Sequence, residues 1–196
     1  MSPPRRLWLV RHARPLVEPG VCYGSSDLEA DPQDTCRAAQ ELCAVLPFGA
    51  ELIMSGLRRA QQLAHALHEM RPDLKEPVAD PRLNEMDFGR YELVRWDEIA
   101  RHEYDAWTTD FQAYRFGGRE SLAEMLERVA APLRAALETR HPTAAGPDHD
   151  QVWITHAGVI RAACWLHARP GSLPRVEQWP REAPGYGGWT TIDAGN

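Results

Sequence analysis

The chain has 196 residues, of which 43% are apolar and 26% are charged, and this is enough to bury one core of enzyme size. Its net charge of −6 argues against nucleic acid as a partner, because binding to a phosphate backbone requires an excess of Lys and Arg. No apolar run approaches the roughly 18 to 20 residues that span a bilayer, which excludes a membrane-spanning helix.

These properties predict one domain over residues 1–196. Residues 1–6 lead directly into an apolar run instead of a signal-peptide core, so we expect a cytoplasmic protein without a membrane partner. The four cysteines contain no C-x-x-C pair, which is typical of reduced thiols. The oligomeric state stays open, with a homodimer among the alternatives.

Five short apolar runs along the chain are predicted to be strands. They are residues 7–10, 50–54, 77–79, 151–155 and 189–192. Between them, Asp31 and Pro32 mark the start of a helix that extends to Leu46, and residues 57–70 carry an apolar stripe with helical spacing. Strands that alternate with helices predict a mainly parallel α/β sheet.

The strand signal is absent from the middle of the chain. Residues 121–140 have apolar side chains at intervals of three and four, which predicts a helical insertion over about residues 93–140. Pro132 should kink or interrupt its longer helix, because proline lacks the N–H that a helix interior uses. Polar residues 141–150 and the Pro- and Gly-rich residues 170–188 are predicted to be irregular.

The most informative motif follows the first strand, in L-W-L-V-R-H-A-R at residues 7–14. It delivers Arg11, His12 and Arg14 to the carboxyl end of the strand, which is the edge where open α/β sheets bind ligands. Neighbouring guanidiniums favour the neutral, nucleophilic imidazole, and they can also pair with phosphate oxygens. The motif is therefore suited to attack on a phosphoryl group.

Two further motifs also join a strand to a helix. S-G-L-R-R-A at residues 55–60 places Ser55 as a helix cap and an arginine in the first turn, and I-T-H-A-G-V-I-R at residues 154–161 contributes His156. Burying these cations without an anion would be costly. We therefore expect the three strand ends to converge on a bound phosphate.

Carboxylates come from L-N-E-M-D-F-G at residues 83–89, in a predicted loop. A carboxyl group near the phosphoryl group can protonate the leaving oxygen. By composition alone, either Glu85 or Asp87 could do so.

Four motifs, taken in order along the chain, resemble those of the histidine phosphatase, or phosphoglycerate mutase-like, superfamily. They are R-H-A, S-x-L-x-R-A, L-N-E-x-x-F-G and T-H-A-G-V-I-R-A. The resemblance implies a three-layer α/β/α sandwich with a mostly parallel sheet and a helical insertion over the active site. It implies a phosphomonoester substrate, a phosphohistidine at His12 and no metal or other cofactor. The site residues implied are Arg11 and His12 as the first phosphate-binding pair, Arg59 rather than Arg58 as the second arginine, Glu85 as the proton donor and His156 as the second histidine.

Within that superfamily, four further segments resemble the motifs of α-ribazole phosphatase. They are G-V-C-Y-G, E-M-D-F-G, W-D-E-I-A and G-G-R-E-S. This implies α-ribazole 5′-phosphate as the substrate, in cobalamin assembly. The alternatives are a broad-specificity or phosphoprotein phosphatase, a phosphoglycerate mutase, and a non-catalytic protein that binds a phosphorylated ligand.

The chain departs from the pattern of this superfamily at several positions, among them Arg14 and Pro15, which replace an acidic or amide residue followed by Thr or Ser. Ala13 replaces the usual glycine after the nucleophile, Gly56 replaces a proline, and Arg119 interrupts G-G-E-S. Glu18 occupies a position that is often polar and neutral, and we expect it to face away from the phosphate. A zinc site at His65 and His68 is not expected, because the spacing is unsuitable and further ligands are missing.

Overall fold

The computed structural model describes residues 5–138 and 149–194. Its strands are β1 (Arg5–Arg11), β2 (Glu51–Met54), β3 (Val78–Ala79), β4 (Gln151–Thr155) and β5 (Trp189–Ala194). They form one sheet in the order β3-β2-β4-β1-β5, with β5 antiparallel to β1 and the other pairs parallel. The predicted α/β class and mostly parallel sheet are confirmed.

The helices are α1 (Pro32–Val45), α2 (Arg58–Met70), α3 (Arg101–Thr109), α4 (Leu122–Leu137) and α5 (Ala157–Ala168). Asp31 caps α1 by accepting hydrogen bonds from the backbone N–H groups of Gln33 and Asp34. Helix α4 continues through Pro132 as a single helix, so the residue does not break it. Residues 139–140 of the predicted helix and residues 141–148 of the predicted loop lie outside the described residues.

Two hydrophobic clusters cover the two faces of the sheet. Because side chains alternate along a strand, Trp8 and Val10 of β1 pack with α1 and α2, whereas Leu7 and Leu9 pack with α4 and α5. All four side chains are at most 5% exposed. The result is the predicted three-layer α/β/α sandwich, with α4 of the helical insertion lying in the same layer as α5.

A third cluster is mostly aromatic, and apart from Cys22 its residues lie in the segment between β3 and α4. It surrounds Phe116, which is fully buried, and includes Trp96 and Trp107. Short 3-10 helices connect its parts, at Gly89–Tyr91, Trp96–Glu98 and Phe116–Gly118. Gly117 is required here, because its φ is +79° and a Cβ would lie 1.7 Å from the Phe88 carbonyl oxygen. No helix in the described ranges is long and apolar enough to cross a bilayer.

Candidate active site

Three parallel strands end at the same edge of the sheet and bring the predicted residues together. Arg11 is the last residue of β1, and the N–H of His12 donates to the Thr155 carbonyl of β4, at 2.9 Å. The N–H of Ser55, after β2, donates to the neighbouring Ile154 carbonyl, also at 2.9 Å. The imidazoles of His12 and His156 then lie with their ring centroids 5.0 Å apart.

The His12 imidazole is buried and held in one orientation. Its Nδ1 lies 2.6 Å from the carbonyl oxygen of Ala13, so Nδ1–H is the donor and Nε2 carries the free lone pair. Burial, then the charge of Arg59 and, more weakly, that of Arg11 lower the pKa of His12 to about 3. The ring is therefore neutral at physiological pH. Ala13 is buried without a positive φ, so it fits where the superfamily has glycine.

Arg59, in the first turn of α2, is fully buried beside His12. Its Nε donates to His12 Nε2 at 3.3 Å, while Nη1 and Nη2 donate to the carbonyls of Ser26 and Gly24, each at 2.6 Å. Arg58 is exposed and pairs with Glu29 at 2.8 Å. Of the two adjacent arginines, the structure thus places Arg59 against His12 and Arg58 on the surface.

The second histidine, His156, is fully buried and held by a chain of side-chain hydrogen bonds. Ser55 Oγ donates to Asn84 Oδ1 and accepts from His156 Nε2, each at 2.8 Å. His156 Nδ1 is buried and has no hydrogen-bond partner among the described residues. Burial, then the charge of Arg59, lowers the pKa of His156. The cap prediction for Ser55 is wrong, because α2 is preceded by Leu57, whose N–H donates to Ser55 Oγ.

Two tyrosines that the sequence analysis did not single out cover the arginines. The guanidinium of Arg11 lies 4.1 Å from the ring centroid of Tyr186, and that of Arg59 lies 5.4 Å from that of Tyr23. The two hydroxyl groups share a hydrogen bond of 2.7 Å. Tyr23 lies within the G-V-C-Y-G motif, but Tyr186 is 163 residues away in an irregular segment and gives no sequence signal.

The structure separates the two candidate proton donors. The Glu85 carboxylate accepts the N–H of Met86 at 3.0 Å and that of Gly158, in the first turn of α5, at 2.9 Å. A Cβ on Gly158 would lie 2.2 Å from Glu85 Oε1, so only glycine permits this contact. Asp87 instead pairs with the exposed Arg119 at 3.4 Å. Glu85 is therefore the carboxylate beside the strand ends.

Glu92 organises the loop that holds Arg59, and the sequence analysis missed it. Its carboxylate accepts the backbone N–H groups of residues 24–26, each at 3.0 Å, and that of Phe88 at 2.9 Å. Burial acts to raise the pKa of Glu92, but these hydrogen bonds and that of the Ser26 hydroxyl lower it overall. Glu92 thereby fixes the two carbonyls that bind the Arg59 guanidinium.

The remaining predicted positions lie away from this edge. Glu18 is exposed, as expected. His65 is exposed on α2, and His68 contacts Glu76 at 3.0 Å. Within residues 5–138 and 149–194, no group of three or more His, Cys, Asp or Glu side chains is arranged to hold a metal ion.

Comparison with known proteins agrees with this geometry. The family model for the "Histidine phosphatase superfamily (branch 1)" matches residues 7–185. A relative from Hydrogenobacter thermophilus, named "Putative phosphoserine phosphatase 2", is 26% identical over 167 residues, which is 83% of this chain and 78% of the relative.

Two solved mycobacterial structures also resemble the chain. A glucosyl-3-phosphoglycerate phosphatase superposes with a TM-score of 0.74 at 25% identity, covering 95% of this chain and 89% of the other. A protein titled "Mycobacterial hydrolase 1" superposes with a TM-score of 0.77 at 25% identity, with coverage of 96% and 89%. Given the extent of the family match and the convergence of its motifs at one sheet edge, the chain belongs to the histidine phosphatase superfamily.

Proposed function

We propose that the protein is a phosphomonoester hydrolase that works through a phosphohistidine at His12. One observation carries the proposal: a buried, neutral imidazole presents its Nε2 lone pair beside the Arg59 guanidinium. An unpaired His156 nitrogen and the stacked Arg11 guanidinium lie nearby. These groups supply a nucleophile, two guanidinium donors and a second imidazole around the phosphoryl oxygens, which is what phosphoryl transfer requires.

In the first step, His12 Nε2 attacks phosphorus and the bond to the ester oxygen breaks. Arg11 and Arg59 donate hydrogen bonds to the equatorial oxygens, and the Nε–H of Arg59 moves from His12 to one of them. His156 donates from Nδ1 once the bound phosphoryl charge favours its protonated form, which takes a proton from solvent. Glu85 gives its proton to the departing oxygen, which leaves as an alcohol. Glu85 takes this proton from solvent before the ester bond breaks.

In the second step, water attacks the phosphohistidine. The oxygen of the water bonds to phosphorus while Glu85, now ionised, takes a proton from that water. The P–N bond breaks at the same time. Inorganic phosphate leaves, and His12 returns to its neutral form. Because arginines neutralise the phosphoryl oxygens, this scheme needs no metal ion from the protein.

The substrate is a separate question from the chemistry. Two of the relatives described above are named for phosphoserine and glucosyl-3-phosphoglycerate, whereas α-ribazole 5′-phosphate is supported by sequence motifs alone. We propose all three as candidates and would compare their kcat/KM values with those of nucleotides, phosphoglycerates and phosphohistidine. A strong preference for α-ribazole 5′-phosphate would support the cobalamin hypothesis, and an even profile would contradict it.

The mechanism is tested by trapping the intermediate. Wild-type protein mixed with radiolabelled substrate and quenched in alkali should carry one acid-labile phosphoryl group per chain. His12→Gln should lose both this label and turnover, the latter by about 10⁴-fold or more, whereas His65→Gln on the exposed side of α2 should behave as wild type.

Three results would contradict the proposal. Wild-type labelling in the His12→Gln variant would reject the nucleophile. Phosphate-ligand binding without turnover of any substrate would identify a non-catalytic binding protein. Transfer of the label to a second phosphoglycerate molecule instead of water would identify a mutase.

A further inference from the structure

A cavity of about 260 Å³ opens beside Glu85, between the aromatic segment and α5. Its walls are mostly apolar, and four aromatic rings contribute: Phe88, Trp107, Phe111 and Trp179. These rings contact one another, with centroids 6.1 to 6.3 Å apart for successive pairs. The cavity lies just below the usual size range for small-molecule sites, about 300 to 1,000 Å³, so it suits a group of one ring.

The position of the cavity relates it to the leaving group. Glu85 and the first turn of α5, at Ala157 and Gly158, form the wall next to the phosphate-binding residues. In the proposed reaction, Glu85 protonates the ester oxygen, so the atoms attached to that oxygen must lie on the Glu85 side. The cavity is therefore where the organic part of the substrate would extend.

Besides Glu85, one more charged side chain lines this mostly apolar cavity, that of Arg161. It lies one turn after Gly158 on the same face of α5 and is partly buried. Its Nη2 donates to the Arg181 carbonyl at 2.9 Å, but its buried Nε has no hydrogen-bond partner among the described residues.

The surroundings leave the Arg161 charge without an anion in contact. Among the described residues, Arg161 forms no ion pair with a carboxylate, and Glu85 acts on it only through longer-range attraction. Burial lowers the pKa of Arg161, and the charge of Arg11 acts in the same direction. A guanidinium removed from water without a partner is costly, so an anionic group supplied by a ligand would stabilise it.

We propose that this cavity binds the leaving group of the substrate, and that this leaving group is a compact aromatic or apolar body carrying an anionic group, such as a carboxylate, that pairs with Arg161. The proposal rests on the proposed function, because it assumes that Glu85 faces the ester oxygen. Aromatic rings select the flat apolar body, and the guanidinium fork selects the anion. Arg161 is then a specificity residue, separate from the arginines that bind the phosphoryl group.

The first experiment compares two substrates that differ in charge but are similar in shape and electron withdrawal: 4-carboxyphenyl phosphate and 4-carbamoylphenyl phosphate. For the wild type we expect kcat/KM to be about 10-fold or more higher for the carboxylate. Arg161→Met should remove this preference and leave the rate on the neutral substrate within about threefold. Arg134→Met, on the exposed side of α4, should keep the wild-type preference.

Inorganic phosphate distinguishes this role from phosphate binding. Inhibition by phosphate should be unchanged, within about twofold, in Arg161→Met, because the proposed partner of Arg161 is not the phosphoryl group. If Arg161→Met weakened inhibition by phosphate as much as it slowed the carboxylated substrate, Arg161 would belong to the phosphate site and the proposal would be overturned. Equal wild-type rates on the two aryl phosphates would overturn it as well.

A binding measurement keeps the proposal testable without turnover. Titration with 4-hydroxybenzoate should quench the fluorescence of the cavity tryptophans, and 4-hydroxybenzamide should bind about 10-fold more weakly. Selective benzoate binding in a protein without phosphatase activity would retain the cavity assignment and reject the proposed function. Hydrolysis of both aryl phosphates without selectivity would retain the function and reject the cavity assignment.

Discussion

Two adjacent regions of the molecule are built in different ways. The residues proposed to bind phosphate, Arg11, His12, Arg59 and His156, are fixed by hydrogen bonds to backbone groups or to buried side chains. The aromatic cavity next to them is shaped by ring contacts among short helices and connecting segments, with Glu85 and Arg161 as its charged members. Directional bonds define the first region, and packing defines the second.

The difference indicates which region can change without loss of the reaction. Moving a hydrogen-bonded donor by 1 Å removes much of its effect on a transition state, whereas apolar walls tolerate replacement when volume is conserved. We therefore expect substitutions at the phosphate-binding residues to slow every substrate. Substitutions in the cavity should instead change which substrate is preferred.

The largest effect is expected at Arg59. Arg59→Met removes the charge that neutralises the phosphoryl oxygens and should lower kcat/KM by about 10³-fold or more for all substrates. Arg58→Met is the matched control, because Arg58 is adjacent but exposed, and it should stay within about twofold of wild type. Steady-state kinetics check both variants. Equal losses would show that the two arginines share the role.

A second large effect is expected at Gly158. Gly158→Ala places a methyl group where Glu85 Oε1 lies, so we expect the carboxyl to shift and kcat to fall about 100-fold. The loss should be smaller for 4-nitrophenyl phosphate, whose leaving group needs little protonation. Gly185→Ala is the control, because a Cβ there contacts nothing within 4 Å. A loss of equal size on every substrate would indicate a structural effect instead of a displaced proton donor.

A smaller effect is expected at Glu92, which connects the two regions. Glu92→Gln replaces one acceptor oxygen with an N–H donor facing backbone donors, so we expect the free energy of unfolding to drop by about 2 kcal/mol. We also expect kcat/KM to fall about 10-fold, because the loop that binds Arg59 loses its support. Urea unfolding and kinetics measure the two effects. Glu98→Gln, at an exposed position, should change neither.

The smallest effect concerns the pH dependence of stability. The pKa of His12 is lowered from 6.5 to about 3, so between these values the unfolded chain binds a proton that the native protein does not. Stability therefore falls as the pH drops below about 6.5. His12→Gln should reduce the slope by about 1.4 kcal/mol per pH unit below about pH 5.5 and by progressively less toward pH 7.5, as measured by urea unfolding from pH 4.5 to 7.5. An unchanged slope would mean that His12 is charged in the native state.

The sequence analysis could predict which strand ends carry the candidate site residues because each motif is local. An apolar run followed by Arg11 and His12, or by His156, identifies both a strand and its functional end. The position of Arg59 came from the motif resemblance, and the structure adds the reason, since the α2 register points Arg58 outward.

Other features depend on contacts between distant segments and could not be predicted. Glu92 and Tyr186 act through residues 24–26 and Arg11, and nothing in their immediate neighbours indicates this. The Ser55 prediction failed because the side chain serves His156 instead of starting the helix. The aromatic cavity likewise forms only when Trp107 and Trp179, far apart in the chain, meet around Phe111.

The hydrogen bond from His12 to the carbonyl of residue 13 has a consequence for comparing members of this superfamily. Because the acceptor belongs to the main chain, the tautomer of the nucleophile is independent of which side chain follows it. Evolution can therefore exchange glycine for alanine there with no chemical penalty. Search patterns that insist on R-H-G would overlook members of this superfamily such as this chain.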